Sequence, residues 1–434
     1  MLVDFSFENY KCYKDEQAFS MRRYGRSGYS PFSDISTVTA MYGANASGKS
    51  SFLEAMAFAA DFSVNSYRLS SSGGGISRIP FLLDNECVAR PSTFYFELVA
   101  ADGLRYKYWF SIDDKQVLSE DLVVYRSSRP SMLFSRWVGG DGDKTNDHGQ
   151  SIEFGPSFVG PKKQLWGITR ENTLFLSAAA AGGSKVTEPI YSELSKISLY
   201  KARYYEDEIR NVKQGLEGDS QDSRTLRSLI RFADLGIDDI KLVKRLPEDG
   251  DGRSGHEGVD AQVAQGEGLA QTKIAFLHKG NEAQALFSDG YESDGTVGAL
   301  SFFSMALRTL RRGGIALVDE IDTSLHPTIV RELVWAFADR DSNPNGAQLI
   351  FTTHDVSLID VGGAEDRVLD RDQIWFSSKS DGQSGLFPAT EFHVRKGENV
   401  GRNYLNDVYG ALPDQRLHEV FLEFSDELND VKED

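Results

Sequence analysis

Residues Gly43 to Ser50 read G-A-N-A-S-G-K-S, a complete phosphate-binding loop pattern between an apolar run (Val38, Ala40, Met41, Tyr42) and a helical one (Phe52, Leu53, Met56, Ala57, Ala60). The placement dictates a strand that ends in a loop and restarts as a helix. Such a loop turns its backbone N–H groups toward phosphate, and Gly43 and Gly48 permit the torsions and close approach this needs. Lys49 reaches the outer phosphates, and the Ser50 hydroxyl can ligate Mg2+ where the helix dipole favours negative charge. The residues expected around a nucleoside triphosphate are Gly43, Ala44, Asn45, Ala46, Ser47, Gly48, Lys49, Ser50 and Ser51.

What lies downstream decides the class of such a site. Gly314 to Glu320 is a short apolar run ending in two carboxylates, the pattern of a buried parallel strand whose tip faces the phosphates. Asp319 would hold the magnesium, directly or through water, and Glu320 would polarise the attacking water; the alternative is an acidic pair that caps a helix. A second apolar run, Gln348 to Thr353, ends in His354-Asp355. His354 at that tip reads as a γ-phosphate contact or as a satisfied structural histidine. Glu292-Ser293-Asp294-Gly295-Thr296 opens onto a helix with apolar Val297, Leu300, Phe303, Leu307 and Leu310, and is either a second anion site or an ordinary cap.

Elsewhere the periodicity predicts an edge-type first strand over Val3–Phe7, a loop helix from Lys49 to Val64, and a flexible link at Ser70 to Gly75. Thr93–Val99 and Tyr106–Ile112 flank Asp102-Gly103, a strong hairpin signal, and Leu118–Tyr125 and Met132–Val138 add two strands. Their aromatic stripes read as core rather than as a base-stacking surface. Gly139 to Gly149 is polar and exposed. Helical spacing over Glu188–Asn211 and Thr225–Leu235 suggests an inserted helical arm, followed by a mobile loop or hairpin tip at Asp249 to Gly268.

With 434 residues the chain can hold more than one lobe. Its 47 basic and 65 acidic residues give a formal charge of −18, which disfavours coating of nucleic acid, although a local basic groove is compatible with it. Two cysteines, Cys12 and Cys87, without a C-x-x-C pair or a signal-peptide pattern suit a reducing cytoplasm, and no apolar stretch approaches the ~20 residues of a membrane span. A soluble cytoplasmic protein without membrane contact is expected.

G-x-N-x-S-G-K-S, Ser293-x-Gly295 before a helix, Val318-Asp319-Glu320 and the strand-end Thr352-Thr353-His354 together resemble the ABC-type ATPase heads of the SMC, RecF and OLD group. In that group two heads sandwich two ATP molecules, the signature of one contacting the γ-phosphate held by the other. The resemblance implies that Ser293 and Gly295 act in trans and that Asp322 to His326 links the two sites. Arg371 to Phe376, Phe392 to Lys396, Tyr404-Leu405 and Tyr409 to Pro413, with Asn9-Tyr10-Lys11, Pro80-Phe81 and Ala233 to Ile237, narrow the likeness to the compact AAA15 family over nearly the whole chain. That family includes RloA- and AbiL-type abortive-infection ATPases and the AriA subunit of the PARIS anti-phage system, which commonly work beside a separately encoded effector, often a TOPRIM nuclease.

The expectations are then an α/β, ABC-type (SMC/RecF/OLD-like) P-loop ATPase head with an antiparallel β region and a short helical insertion. Residues 1–187 would form the first ATPase lobe, 188–290 the insertion and 291–434 the second lobe. ATP and Mg2+ would be bound at a homodimeric sandwich or within a higher ring. Glu320, His354 and Lys49 would serve hydrolysis, in a sensor or scaffold that answers a phage-encoded trigger. The alternatives are a DNA-repair ATPase, disfavoured by the charge and by the lack of heptads or a cysteine hook, and an ATP-gated platform with negligible turnover.

Overall fold

Alternation in Leu2–Glu8 (β1) buries Phe5 and Phe7 and turns Asp4 and Ser6 away from them. In the computed structural model, which describes residues 1–23, 34–139, 149–201, 205–233, 236–243, 272–323, 325–359, 368–392, 399–412, 419–422 and 424, β1 is an interior strand. It lies between β2 (Gln17–Ser20) and β4 (Ser92–Val99), so the expected edge position is corrected. Four residues of β2, too few to read in advance, cover it. The expected strands follow as β4, β5 (Arg105–Ile112), β6 (Val117–Tyr125) and β7 (Pro130–Val138), and an unexpected β8 (Gln150–Phe154) extends an antiparallel sheet ordered β2-β1-β4-β5-β6-β7-β8. Phe94, Phe96, Tyr108 and Phe110 are buried on its inner face, as core.

The strand before the phosphate loop, β3 (Val38–Gly43), is buried at all six positions. It is central in a second sheet ordered β16-β15-β3-β14-β13-β9, parallel except for β16, in which β13 is Ile315–Asp319, β14 Gln348–Thr352, β15 Ile374–Ser380 and β16 Gln383–Pro388. Helix α1 (Lys49–Leu69) lies between the two sheets, burying Phe52, Leu53, Met56, Ala59 and Ala60 at helical spacing. Phe52 meets Phe5, Phe7 and Phe19 of the antiparallel sheet at centroid distances of 6.2, 6.1 and 4.9 Å. The helix outruns the expected Val64 because polar contacts hold its last turns. Ser177 Oγ donates to Val64 O (2.8 Å) and accepts from Tyr67 N (3.0 Å). Ser177 belongs to α4 (Phe175–Ala181), which follows two short helices, α2 (Asn85–Ala89) and α3 (Lys162–Gly167).

The stretch expected to be one helix from Glu188 to Asn211 is three elements: α5 (Glu188–Leu194), β9 (Ile197–Lys201) and α6 (Tyr205–Leu216). Strand β9 pairs in parallel with β13 and closes one edge of the second sheet. Helix α7 (Gln221–Phe232) and a small antiparallel sheet of β10 (Asp239–Val243), β11 (Lys273–Lys279) and β12 (Gln284–Ser288) follow, leading into α8 (Asp294–Arg312). Val212, Leu216, Leu226 and Ile230 pack in one core with Ala299, Leu300 and Phe303 of α8 and with Val38, Ala40 and Ala316 of the second sheet. The described part of the insertion is therefore packed on the core and not a free arm. Helices α9 (Pro327–Ala338) and α10 (Val400–Leu405) join the same layer. The expected loop at Asp249 to Gly268, the interior of Gly139 to Gly149, and Pro413 lie outside the described residues, as do parts of the Phe392 to Lys396 and Ala233 to Ile237 motifs. No described helix is long and apolar enough to cross a membrane. The antiparallel sheet, the P-loop helix, the parallel sheet and the helical layer that contains α8 make an ABC-type P-loop ATPase fold.

Candidate nucleotide site

Parallel pairing brings the tips of β3, β13 and β14 to one edge, with Thr352 level with Met41 and Val318 level with Phe351. The phosphate loop leaves β3 there. Gly43 has φ +152° and Gly48 φ +120°, and Ala46 is also left-handed at +61°. A Cβ on Gly43 would sit 2.3 Å from the Ser377 carbonyl oxygen, and one on Gly48 would sit 2.8 Å from both Tyr13 Oη and Ser384 Oγ. The loop is clasped from outside as well: Tyr13 Oη donates to Gly48 O (3.1 Å) and Ser377 Oγ to Ser47 O (2.9 Å). Gly43→Ala is expected to destabilise the fold by about 1–3 kcal/mol, because backbone rather than a movable side chain blocks the methyl group. Thermal unfolding with and without nucleotide checks this, and wild-type midpoints in both would contradict it.

Several features fit a bound polyphosphate. No side chain caps α1 and no acid sits in its first turn, so the helix N-terminus is free to serve an anion. Ser47 Oγ is buried without a hydrogen-bond partner among the described residues. Asn45 and Ala46 are exposed at the loop crest, while Ser50 and Ser51 are half-buried in the first turn. Lys49 Nζ donates to Gly43 O (2.7 Å) and Ala44 O (2.9 Å). Burial pushes its ammonium down to about 8, against the pull of Asp319, Glu320 and Asp322.

Asp319 Oδ1 accepts from Ser50 Oγ (2.9 Å) and from Thr352 Oγ1 (2.8 Å). The expected magnesium ligand and the P-loop serine are thus in contact. Among the described residues no cluster of three or more His, Cys, Asp or Glu side chains could hold a metal unaided, and Ser50 with Asp319 suits a cation that takes most of its ligands from phosphate and water. Glu320 follows with φ +55°, its N–H donating to Thr352 Oγ1 (2.7 Å) and its Oε2 accepting from Thr323 Oγ1 (3.3 Å). His354 is exposed at the tip of β14, with its N–H on Asp322 Oδ2 (3.2 Å). Partial desolvation of the ring and then the Lys49 charge lower its imidazole below the usual value, against Asp322 and Glu320.

Ser293 and Gly295 stand apart. Ser293 caps α8, its Oγ accepting from Thr296 N (3.1 Å), and is exposed. Among the described residues neither it nor Gly295 is hydrogen-bonded to the P-loop of its own chain. Of the expected linking segment, Asp322, Thr323, Leu325 and His326 are described, with His326 capping α9.

The sequence did not reveal Thr352 as a partner of both carboxylate residues, nor Tyr13 and Ser377 as clasps. It also missed Glu54, one turn beyond Ser50, which pairs with Lys11 and with Lys201. Lys201 stands level with Asp319 in the β9–β13 ladder. A cavity of ≈250 Å³ opens beside these groups, between Asp319, Glu320 and Lys201 and the Phe302 and Met305 side chains of α8.

No curated protein matches the chain significantly. Among solved structures, the Smc head domain with an extended coiled coil bound to the C-terminal domain of ScpA, from Pyrococcus furiosus, is similar at 12% identity and a TM-score of 0.38, covering 94% of this chain and 99% of that one. The recombination mediator protein RecF in complex with ATP is similar at 14% identity and a TM-score of 0.35, covering 89% and 97%. A family model described as "AAA domain, putative AbiEii toxin, Type IV TA system" matches residues 38–360, well over half of the chain, and the chain belongs to that family.

Proposed function

We propose that the chain is an ATP-hydrolysing sensor and scaffold subunit of a bacterial anti-phage, abortive-infection system, of the AAA15 type that includes AriA and RloA- and AbiL-like ATPases. The observation that supports hydrolysis best is the hydrogen-bonded chain from Ser50 through Asp319 and Thr352 to the Glu320 backbone, which sets a carboxylate at the mouth of a phosphate loop. Lys49 and the α1 N-terminus would bind the β- and γ-phosphates. Mg2+, held by Ser50 and Asp319, would neutralise their oxygens. Glu320 would take the proton of the attacking water, and His354 would hydrogen-bond the γ-phosphate.

The exposed Ser293 supports a second copy as its target, giving a head-to-head sandwich with ATP at the interface, or a closed ring built from such contacts. The family's toxin and toxin–antitoxin description supports a partnership with a separately encoded toxic effector, such as a TOPRIM nuclease, released when a phage product appears in the cytoplasm. Co-purification with the product of the neighbouring gene, and phage challenge, test this. Lys49→Ala and Glu320→Gln should alter effector retention and abolish protection. No partner, together with undiminished protection in both variants, would sink the idea.

A groove of ≈960 Å³ at the opposite end of the second sheet, lined by Arg23, Lys196, Arg312 and Arg340 with Glu193 as the one carboxylate among the described lining residues, favours one other reading, a DNA-repair ATPase. In that case duplex DNA would stimulate turnover with a steep salt dependence.

A further inference from the structure

Thr352 ends β14 fully buried, and both its side chain and its backbone grip the segment that leaves β13. Its hydroxyl meets Asp319 Oδ1 at 2.8 Å and Glu320 N at 2.7 Å, and its carbonyl accepts the Ile321 N–H at 3.0 Å. The amide of Glu320 can only donate, so the hydroxyl must accept there and spend its own proton on Asp319. The result is a directed chain, Glu320 N–H to Thr352 Oγ1–H to Asp319 Oδ1. With Ser50 as the second donor to Oδ1, the carboxylate plane of Asp319 is fixed from two sides, and Oδ2 is left without a hydrogen bond among the described residues. The same hydroxyl anchors Glu320 in a left-handed backbone, φ +55°, that a non-glycine residue keeps only when its surroundings hold it there.

We propose that Thr352 is a positioning residue for ATP hydrolysis, orienting the Asp319 carboxylate and the Glu320 backbone together and tying both to the strand that carries His354. This rests on the ATPase reading above. A purely apolar residue would fill the same space, since Ile350 and Phe351 before it are buried in the same strand, so it is the hydroxyl that sets position 352 apart.

Thr352→Val removes the hydroxyl at nearly constant volume, and Thr352→Ser keeps it. In ligand-free protein the Glu320 amide should exchange with deuterium roughly tenfold faster in the valine variant and at the wild-type rate in the serine variant. Half-saturation with a fluorescent ATP analogue should need several-fold more Mg2+ in the valine variant alone. Its kcat should fall roughly ten- to a hundredfold with KM changed less than about threefold, and serine should restore it. Unchanged exchange or an unchanged Mg2+ requirement in the valine variant overturns the assignment, as does a loss of kcat that serine fails to restore. If the wild type releases no phosphate, the ATPase reading fails by itself, while the exchange and Mg2+ measurements still decide whether Thr352 positions these groups. Should the valine variant not fold, Thr352→Ala carries the same expectations.

Discussion

Glu320→Gln is expected to lower ATP turnover by roughly two to four orders of magnitude while ATP still binds. The amide has the shape of the carboxylate and can keep the contact that Thr323 Oγ1 makes with it (3.3 Å), but it cannot take a proton from water. The groups that would hold the phosphates, Lys49, Ser50 and the uncapped start of α1, are untouched. Affinity should even rise a little. Glu320 and Asp322 are negative neighbours of Lys49 and His354, and removing one of them lessens repulsion of a polyphosphate. Lys49→Ala should act in the opposite sense, losing nucleotide along with turnover. Phosphate release in a single turnover, measured beside equilibrium binding of a fluorescent ATP analogue, separates the two. Turnover within tenfold of wild type in Glu320→Gln would remove Glu320 from the general-base role.

The parts of this site that could be read in the sequence are those whose signal is local. A glycine loop between a buried strand and a helix, and a strand ending in Asp319-Glu320, announce themselves within a dozen residues. What could not be read depends on register between distant strands. Thr352 looks like one more residue of an apolar run until the β13–β14 pairing sets its hydroxyl against Asp319. Ile197–Lys201 is five residues long, half-buried throughout and set between helical patterns, too short for its Ile197-Ser198-Leu199 alternation to stand out, so its identity as a strand comes from its pairing with β13. The last turns of α1 were missed for a similar reason. Ser63 and Ser66 are buried there, and hydropathy has no means of anticipating that Ser66 Oγ accepts the Leu174 N–H (3.1 Å). The same limit applies to the exposed Ser293: a helix cap and an anion contact made in trans share one local sequence, and only a second subunit can distinguish them.

Those polar contacts along α1 lead to a second large expected effect, in the antiparallel sheet far along the chain from the phosphate loop. Arg136→Ala should destabilise the protein by about 3–5 kcal/mol. Arg136 and Glu120 are both fully buried and meet at 3.3 Å. The guanidinium also donates to Thr173 O (2.6 Å), Gln150 Oε1 (2.7 Å) and Arg170 O (3.0 Å), and Glu120 accepts from Tyr108 Oη (3.0 Å), Phe175 N (2.5 Å) and Leu176 N (2.9 Å). Truncation leaves a buried carboxylate without its counter-charge and several acceptors unpaired. Burial already raises the Glu120 carboxyl, and loss of Arg136, which opposes that shift, raises it further. A carboxyl whose folded value exceeds its unfolded one binds more protons when folded, so its contribution weakens as pH rises. The deficit of the variant should therefore be smaller in mild acid than at neutral pH. Because Glu120 anchors the start of α4, and Ser177 of α4 holds Val64 and Tyr67 of α1, the loss should also loosen the helix that presents Lys49. Urea unfolding at two pH values checks both parts, and a deficit under about 1 kcal/mol, or one that grows in acid, would contradict the account of the pair.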